Sequence, residues 1–127
     1  MSKIYLASPL FTKFEKDNVR AVALNLRLKG HEVYVPMEHQ IENAWDYKNY
    51  VWANMVFEED VKAIRECDEV CCIYYGLYSD SGTAWECGFA YGIGKPVTLI
   101  DMANEEVSLM MVNGAANFRD FREKNQT

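Results

Sequence analysis

The segment from Tyr78 to Gly88 contains the side chains best suited to catalysis. Asp80 and Glu86 lie six residues apart in it, the first in a predicted loop and the second near the start of a predicted helix. A carboxylate in a first helical turn faces unpaired N–H groups and the positive end of the helix dipole, which favour the ionised form that a nucleophile needs. Glu86 is therefore a candidate nucleophile. Residues Thr83–Glu86 also match a capping box, in which Glu86 would only accept a backbone N–H, and Asp80 could be a turn or N-cap residue.

Two further candidates lie outside this segment. Asp60 is the last of three consecutive acids at 58–60, a pattern that usually marks a solvated helix face. Ile64 follows one turn later, so Asp60 lies at the edge of the apolar stripe and is the acid expected to face inward. Tyr5 lies in a predicted strand and is either a core aromatic or a hydrogen-bonding group of the site.

The elements that position these candidates can be predicted from the sequence pattern. Short apolar runs alternate with segments of helical periodicity, and a polar tail follows the last helical segment. Strands that are almost continuously apolar and alternate with helices predict a parallel sheet covered on both faces. The expected fold is α/β, a small doubly wound domain of the Rossmann or flavodoxin type over residues 1–127. The predicted strands are Lys3–Ala7, His31–Val35, Glu69–Tyr75 and Val97–Ile100, and the predicted helices are Phe14–Lys29, Val51–Glu66, Gly82–Ile93 and Glu105–Val112.

In such sheets, ligands bind beyond the carboxyl ends of the strands. Those ends are predicted at Ser8–Phe11, Pro36–Gln40, Gly76–Ser81 and from Asp101 onward. The glycine-rich dinucleotide fingerprint does not follow the first strand, and a Walker phosphate loop is missing. The sequence therefore predicts no NAD, FAD or other cofactor.

Charge and hydropathy narrow the range of partners. The net charge is -6 and the Lys and Arg residues are scattered, whereas a protein that binds polymer nucleic acid usually presents a basic face. No apolar run approaches the roughly 18–20 residues that span a bilayer, and the N-terminus lacks a secretory signal. We therefore expect a cytoplasmic protein that binds a small molecule of little negative charge, and neither a membrane nor polymer nucleic acid.

The cysteines predict neither a metal site nor a disulfide framework. Their spacing contains no CxxC pair, and His31 and His39 are far away in sequence. Two of the cysteines are adjacent in a predicted buried strand, where a thiol behaves as a small hydrophobe. We therefore expect structural thiols at Cys67, Cys71, Cys72 and Cys87.

Taken together, several segments resemble the nucleoside 2-deoxyribosyltransferase family, and the resemblance extends from Lys3 to about Asn113. Each motif alone is unspecific, but five in the right order are specific. The matching segments are Lys3–Pro9, Val35–Gln40, Val51–Ala53 with the later Asp60, Asp80–Gly88, and Gly94–Pro96.

The resemblance implies a role for each candidate. Glu86 would attack C1' of a 2'-deoxyribose and form a covalent ester, while Asp60 would manage the proton on the leaving and incoming base. Tyr5 would hydrogen-bond Glu86, and Asp80 would bind sugar hydroxyls. Gln40 and Trp52 would line the base pocket, although Trp52, Trp45 and Phe11 could also be ordinary core residues. The expected substrate-binding set is Phe11, Gln40, Trp52, Asp80, Gly82, Ser108 and Met110.

Two departures from the family pattern bear on the reaction. Ser108 stands where the transferases usually have Asn, a residue that reaches a neighbouring subunit's sugar site, and the sequence ends at Thr127 without the family's longer aromatic tail. Both favour more hydrolysis than in the transferases. A homo-oligomer with shared active sites near Ser108–Asn113 is nevertheless expected from the resemblance.

Two other functions remain open. The nucleoside 5'-monophosphate N-glycosidases resemble this sequence too, but usually have Ser where this chain has Asp80. A carboxylate near a phosphate dianion is repelled by about a few kcal/mol at an effective dielectric of ~20, so Asp80 favours nucleosides. A non-catalytic nucleotide sensor on the same scaffold is the third possibility, because a fold does not fix a function.

Overall fold

A computed structural model describes residues 2–41, 43–102 and 108–120. Within these residues five strands form one parallel sheet in the order β2-β1-β3-β4-β5. The strands are β1 (Lys3–Ala7), β2 (Glu32–Tyr34), β3 (Glu69–Tyr74), β4 (Val97–Asp101) and β5 (Asn117–Asp120). The helices are α1 (Lys13–Leu28), α2 (Asn49–Glu66), α3 (Ser81–Gly92) and α4 (Leu109–Gly114), with 3-10 turns at Pro36–Glu38, Ala44–Asp46 and Gly76–Tyr78.

The predicted α/β fold is confirmed, with one strand more than the sequence indicated. We predicted a polar tail after the last helix, but Asn117–Asp120 pairs in parallel with β4. The prediction was wrong because β5 is an edge strand whose residues 117–119 are exposed, so it lacks the apolar run that marks the inner strands. The last helix begins at Leu109, and the predicted start at Glu105 lies outside the described residues.

The start and end of α1 follow local rules. The Thr12 side chain accepts a hydrogen bond from the Glu15 N–H at 3.1 Å, and the Glu15 carboxylate accepts from the Thr12 N–H at 2.9 Å, which is a complete capping box. Beyond Leu28, Gly30 has a φ of +93°, a conformation that glycine adopts without strain. The helix is therefore fixed at both ends by its own sequence.

Alternation along the strands divides the core into two layers, one on each face of the sheet. Ile4 and Leu6 of β1 pack with the buried stripe of α1, which includes Val22. Tyr5 and its face of the sheet pack against α2, α3 and α4. The site residues of β1, α2 and α3 are thus brought together on one face, and the prediction of helices on both faces is confirmed.

The cysteines are buried as free thiols in the interior of the protein, as the sequence predicted. Cys67, Cys71, Cys72 and Cys87 are buried free thiols, and burial raises the pKa of the Cys71 thiol to about 12. Among the described residues, no group of three or more His, Cys, Asp or Glu side chains could hold a metal ion. None of the described helices is long and apolar enough to cross a membrane.

The position of α2 depends on Ile64, which is fully buried one turn after Asp60. We expect Ile64→Ala to lower the free energy of unfolding by about 2–4 kcal/mol, because it removes buried methyl groups and leaves a cavity. Leu28→Ala is the control, since Leu28 is 78% exposed and should cost less than about 0.5 kcal/mol. Urea unfolding followed by tryptophan fluorescence measures both, and equal losses would contradict this account of α2.

Candidate active site

Glu86 lies in the second turn of α3, five residues after the helix begins at Ser81. Its carboxylate is partly buried and its Oε2 accepts a hydrogen bond from the Tyr5 hydroxyl of the central strand β1. This contact joins the face of the sheet to the helix. The hydrogen bond that the resemblance implied is therefore present.

The cap of α3 is made by Asp80, not by Glu86. Asp80 Oδ2 accepts from the Thr83 N–H at 3.1 Å and from the Thr83 hydroxyl at 3.3 Å. A Cβ at Gly82 would lie 3.0 Å from the same Oδ2, so the glycine leaves room for the capping carboxylate. The capping-box interpretation of Thr83–Glu86 is wrong, and the N-cap interpretation of Asp80 is confirmed.

The electrostatics of Glu86 are opposite to those expected from the sequence. Burial raises the pKa of the Glu86 carboxyl to about 7, and the negative charges of Asp60 and Asp80 add to that effect. The Tyr5 hydrogen bond lowers the pKa but does not outweigh burial. We expected the helix dipole to favour the ionised form, and this was wrong because Glu86 lies beyond the first turn, where that field has decayed.

Asp60 is the inward-facing acid of its run. It is partly buried, whereas Glu58 and Glu59 are exposed. Burial and the neighbouring charge of Glu59 raise the pKa of Asp60 to about 6, against the opposing effect of His39. Two carboxyl groups with pKa values between about 6 and about 7 therefore share one region. This is the range in which a group can both take and give a proton near neutral pH.

Tyr5 is held from two sides. It is fully buried, and its pKa is raised first by burial and then by the charges of Glu86 and Asp60, so the hydroxyl keeps its proton and donates. Its ring stacks on Tyr34 at 5.6 Å and 13°, and Tyr34 stacks on His39 at 4.1 Å and 5°. Sequence reasoning missed both stacking partners. The signal for Tyr34 was its register opposite Tyr5, which a single sequence does not reveal.

The predicted base-pocket residues are exposed near the ends of the strands. Phe11 and Gln40 follow β1 and β2, and Trp52 lies on α2 two turns before Asp60. Phe11 is 77% exposed and Trp52 42%, so the core interpretation of these residues and of the exposed Trp45 was wrong. An exposed aromatic side chain near the strand ends remains able to stack on a flat ligand.

Ser108 and Met110 lie apart from the two carboxyl groups. The Ser108 N–H donates to the Tyr74 hydroxyl at 2.6 Å, and Met110 is 86% exposed. Both line a cavity of about 390 Å³ between α3 and α4, and neither Glu86 nor Asp60 lines it. Within one chain the described contacts do not bring Ser108 and Met110 to Glu86.

Comparison with known proteins decides the family. The profile for nucleoside 2-deoxyribosyltransferases matches residues 4–120. The chain belongs to this family. A nucleoside deoxyribosyltransferase of Lactobacillus johnsonii is 26% identical over 114 residues, which are 83% of this chain and 76% of the relative.

Solved structures agree with this membership. The 2-deoxyribosyltransferase of Bacillus psychrosaccharolyticus superposes with a TM-score of 0.86 at 35% identity, covering 98% of this chain and 91% of that one. A CMP N-glycosidase of Clostridium botulinum superposes at 0.66 and 21% identity, covering 98% of this chain and 96% of that one. The second match shows a shared fold only.

Membership in the nucleoside 2-deoxyribosyltransferase family confirms the prediction of an enzyme. The family acts on the N-glycosidic bonds of deoxynucleosides, and its substrates are small nucleosides and bases. The site also fits that chemistry, since it holds partly buried carboxyl groups.

The raised pKa of Glu86 has a consequence for stability. A carboxyl whose pKa is about 7 in the folded state and ordinary in the unfolded state stabilises the fold below the ordinary value, and that contribution is lost as the pH rises to about 7. We expect Glu86→Gln to raise the melting temperature by a few degrees at pH 8, corresponding to about 1–3 kcal/mol after allowance for partial exposure. At pH 4 the variant and the parent should melt together.

Differential scanning calorimetry at the two pH values measures this effect. Glu58→Gln, which neutralises an exposed acid of α2, is the control and should shift the melting temperature little at either pH. A Glu86→Gln variant that is no more stable than the parent at pH 8 would show that the buried carboxylate carries no such cost.

Proposed function

We propose that this protein exchanges the base of a 2'-deoxynucleoside through a covalent deoxyribosyl ester on Glu86. The observation that carries the proposal is the Tyr5–Glu86 hydrogen bond in a partly buried site beside Asp60. A carboxylate nucleophile needs one oxygen free and the other fixed, and the bond from Tyr5 to Oε2 leaves Oε1 available for attack.

The proposed reaction has two matching halves. Glu86 Oε1 attacks C1', the C1'–N bond breaks, and its electron pair goes to the base, which takes a proton from Asp60. The acceptor base then gives its proton to Asp60 and attacks C1', and the Glu86 carboxylate leaves. Two displacements retain the configuration at C1'. No oxidant, metal or cofactor takes part in either half.

The two carboxyl groups can divide these tasks between them. The active state has one proton on the pair, with Asp60 protonated and Glu86 ionised. Because the pKa of Glu86, about 7, lies above that of Asp60, about 6, this is the minor one-proton form of the free site. The charge of Asp60 raises the pKa of Glu86, so protonation of Asp60 favours the ionised nucleophile. The proton that activates the leaving group thus also helps to free Glu86 for attack.

Asp80 supports recognition of the sugar. Both hydrogen bonds from Thr83 reach Oδ2, so Oδ1 is the oxygen suited to accept from a deoxyribose hydroxyl. The exposed rings of Phe11 and Trp52 and the amide of Gln40 are proposed to contact the base. These residue types combine stacking with hydrogen bonding to a heterocycle edge.

A homo-oligomer with shared sites is part of the proposal. Leu109 and Met110 are 72% and 86% exposed, beside the cavity lined by Ser108. Adjacent exposed apolar side chains next to a cavity suit contact with another protein surface. A neighbouring copy would bring Ser108 and Met110 to the sugar side of its partner's site.

The second candidate function is hydrolysis of a deoxynucleoside 5'-monophosphate. Ser108 in place of the usual Asn favours it, because it weakens closure around the sugar. The negative charge of Asp80, which adds to the raised pKa of Glu86, opposes it, because the same charge would repel a phosphate group.

Incubation of thymidine or deoxyinosine with adenine tests the proposal. We expect a new deoxynucleoside by chromatography, and a loss of at least roughly 10³-fold in rate for Glu86→Ala. Glu58→Ala removes an exposed acid of α2 and should leave the rate within about twofold. Formation of neither a new deoxynucleoside nor a free base would contradict the enzyme proposal. Faster cleavage of deoxynucleoside monophosphates than of nucleosides would favour the hydrolase.

The pair of carboxyl groups also predicts a pH profile. We expect kcat/KM to be highest between about pH 6 and pH 7, since both groups are protonated below that range and both are ionised above it. Asp60→Asn should lower the rate by about 10²–10⁴-fold. It should also move the ascending limb to lower pH, because the charge that raises the pKa of Glu86 is gone. An unchanged profile in Asp60→Asn would refute the pairing.

A further inference from the structure

The ring of Tyr5 is flanked by one residue from each neighbouring strand. Val70 lies opposite Tyr5 on the inner strand β3, and Tyr34 lies opposite it on the edge strand β2. Val70 is fully buried, whereas Tyr34 is only partly buried. On the edge side of the sheet, Tyr34 is therefore the cross-strand neighbour that can hold the Tyr5 ring in place.

The contact between Tyr34 and Tyr5 is a stack of aromatic rings. Their centroids are 5.6 Å apart and their planes differ by 13°, which lies in the range where offset rings attract each other. The imidazole of His39, from the turn after β2, also stacks on Tyr34, at 4.1 Å and 5°. Tyr34 is thus in contact with two protein rings, which suits support of a neighbour better than stacking on a ligand.

One guanidinium group holds the backbone segment that carries the two outer rings. Arg27 Nη2 donates to the Val33 carbonyl oxygen at 2.9 Å, and the same guanidinium binds the two carboxylate oxygens of Glu38 at 2.6 Å and 3.0 Å. The first of these partners directly precedes Tyr34 in the chain, and the second directly precedes His39. Because a bidentate pair fixes direction as well as distance, the segment that presents both rings is anchored to the end of α1.

We propose that Tyr34 is a positioning residue of this active site, whose ring holds the Tyr5 ring so that its hydroxyl stays in hydrogen-bond contact with Glu86. The inference rests on the proposed function for the meaning of Glu86 as the nucleophile, but the contacts themselves are independent of turnover. A Tyr5 ring that turned away would donate poorly to Oε2, because hydrogen bonds weaken steeply as their angle falls. The carboxylate would then lose the donor that fixes one of its oxygens.

The loss of the Tyr34 ring should reach Glu86 through Tyr5. The groups that act on the Glu86 carboxyl are Tyr5 from β1, Asp60 from α2 and Asp80 at the start of α3, and the buried Cys72 thiol of β3 lies near them. Burial raises the pKa of Tyr34 to about 12, so its replacement removes no charge near neutral pH. A hydrogen bond to the ionised form of a carboxyl favours ionisation, so a weakened Tyr5 donor should raise the midpoint of the Glu86 titration.

Titration of Glu86 by ¹³C NMR, with glutamate labelled at the carboxyl carbon, tests the proposal, and Glu86→Gln identifies the signal. Tyr5→Phe should raise the midpoint by about one pH unit, because the bond to the charged form is lost. Tyr34→Leu should raise it by about half a unit, because the bond is weakened but not removed. Tyr34→Phe keeps the ring and should titrate like the parent.

The double variant Tyr5→Phe/Tyr34→Leu separates positioning from a general loosening of the site. If Tyr34 acts through the Tyr5 hydroxyl, the second substitution should add no further shift once that hydroxyl is gone. A further shift in the double variant would overturn the proposal. So would a Tyr34→Leu midpoint equal to the parent's, or a shift in Tyr34→Phe as large as that in Tyr34→Leu.

Phe118→Leu is the matched control, because it removes an aromatic ring from the opposite edge strand of the described sheet, β5. The Phe118 ring contacts Tyr74, with centroids 6.0 Å apart. The Glu86 midpoint should therefore be the same in this variant as in the parent. A shift as large as that in Tyr34→Leu would show that the loss of any ring at the sheet edge disturbs Glu86, and would contradict a specific role for Tyr34.

The base-exchange assay adds a kinetic readout. Tyr34→Leu should lower kcat by about 10-fold and leave KM within about twofold, because the change affects the orientation of the nucleophile and not substrate binding. Tyr34→Phe should recover most of kcat. A rise in KM at unchanged kcat would count against positioning. A parent enzyme that exchanges no base would refute the proposed function and leave the NMR titrations to decide on Tyr34.

Discussion

The constraint on which the site depends is the partial burial of one carboxyl group, Glu86, against the central strand. A carboxylate that loses water is destabilised unless donors replace that water. The Tyr5 hydroxyl is the donor that the sheet supplies, and it lies on the face shared by α2 and α3. Because this hydrogen bond does not fully replace the lost water, the pKa of the Glu86 carboxyl stays at about 7. A better-solvated carboxylate would be ionised at lower pH, but it would be a less reactive nucleophile.

The burial of Glu86 also makes the pKa of its carboxyl group more sensitive to the charges of neighbouring acids. Asp60 and Asp80 both raise the pKa of Glu86, because charges interact more strongly where water is partly excluded. Three acids converging on one region would destabilise a site that had no use for them. The proposed reaction, which moves one proton and forms one ester, would use this repulsion, because protonation of Asp60 favours the ionised form of Glu86. The cost in stability and the chemistry thus have one physical origin.

Periodicity and strand burial were enough to predict the α/β architecture, because inner strands and amphipathic helices have strong signatures in the sequence. They failed for β5, whose exposed residues 117–119 carry no such signature. For the site, motif order supplied the candidate side chains, while the expected electrostatics of Glu86 were wrong because they depend on burial and not only on position along a helix. Tyr34 and His39 were missed because a ring stack depends on strand register and on the path of the chain after β2.

Asp80 shows how the helix cap and the chemistry are connected. Asn, Ser and Asp cap a helix about equally well, so stability of α3 alone gives no reason for a charged cap. Here the charge has a cost, because it adds to the raised pKa of Glu86. A carboxylate whose Oδ2 already holds Thr83 still offers a second oxygen to a hydroxyl, whereas a capping serine would offer only one oxygen for both tasks. This cost supports the proposed role of Asp80 in sugar binding, because a bound hydroxyl would stabilise its charge and a bound phosphate would not.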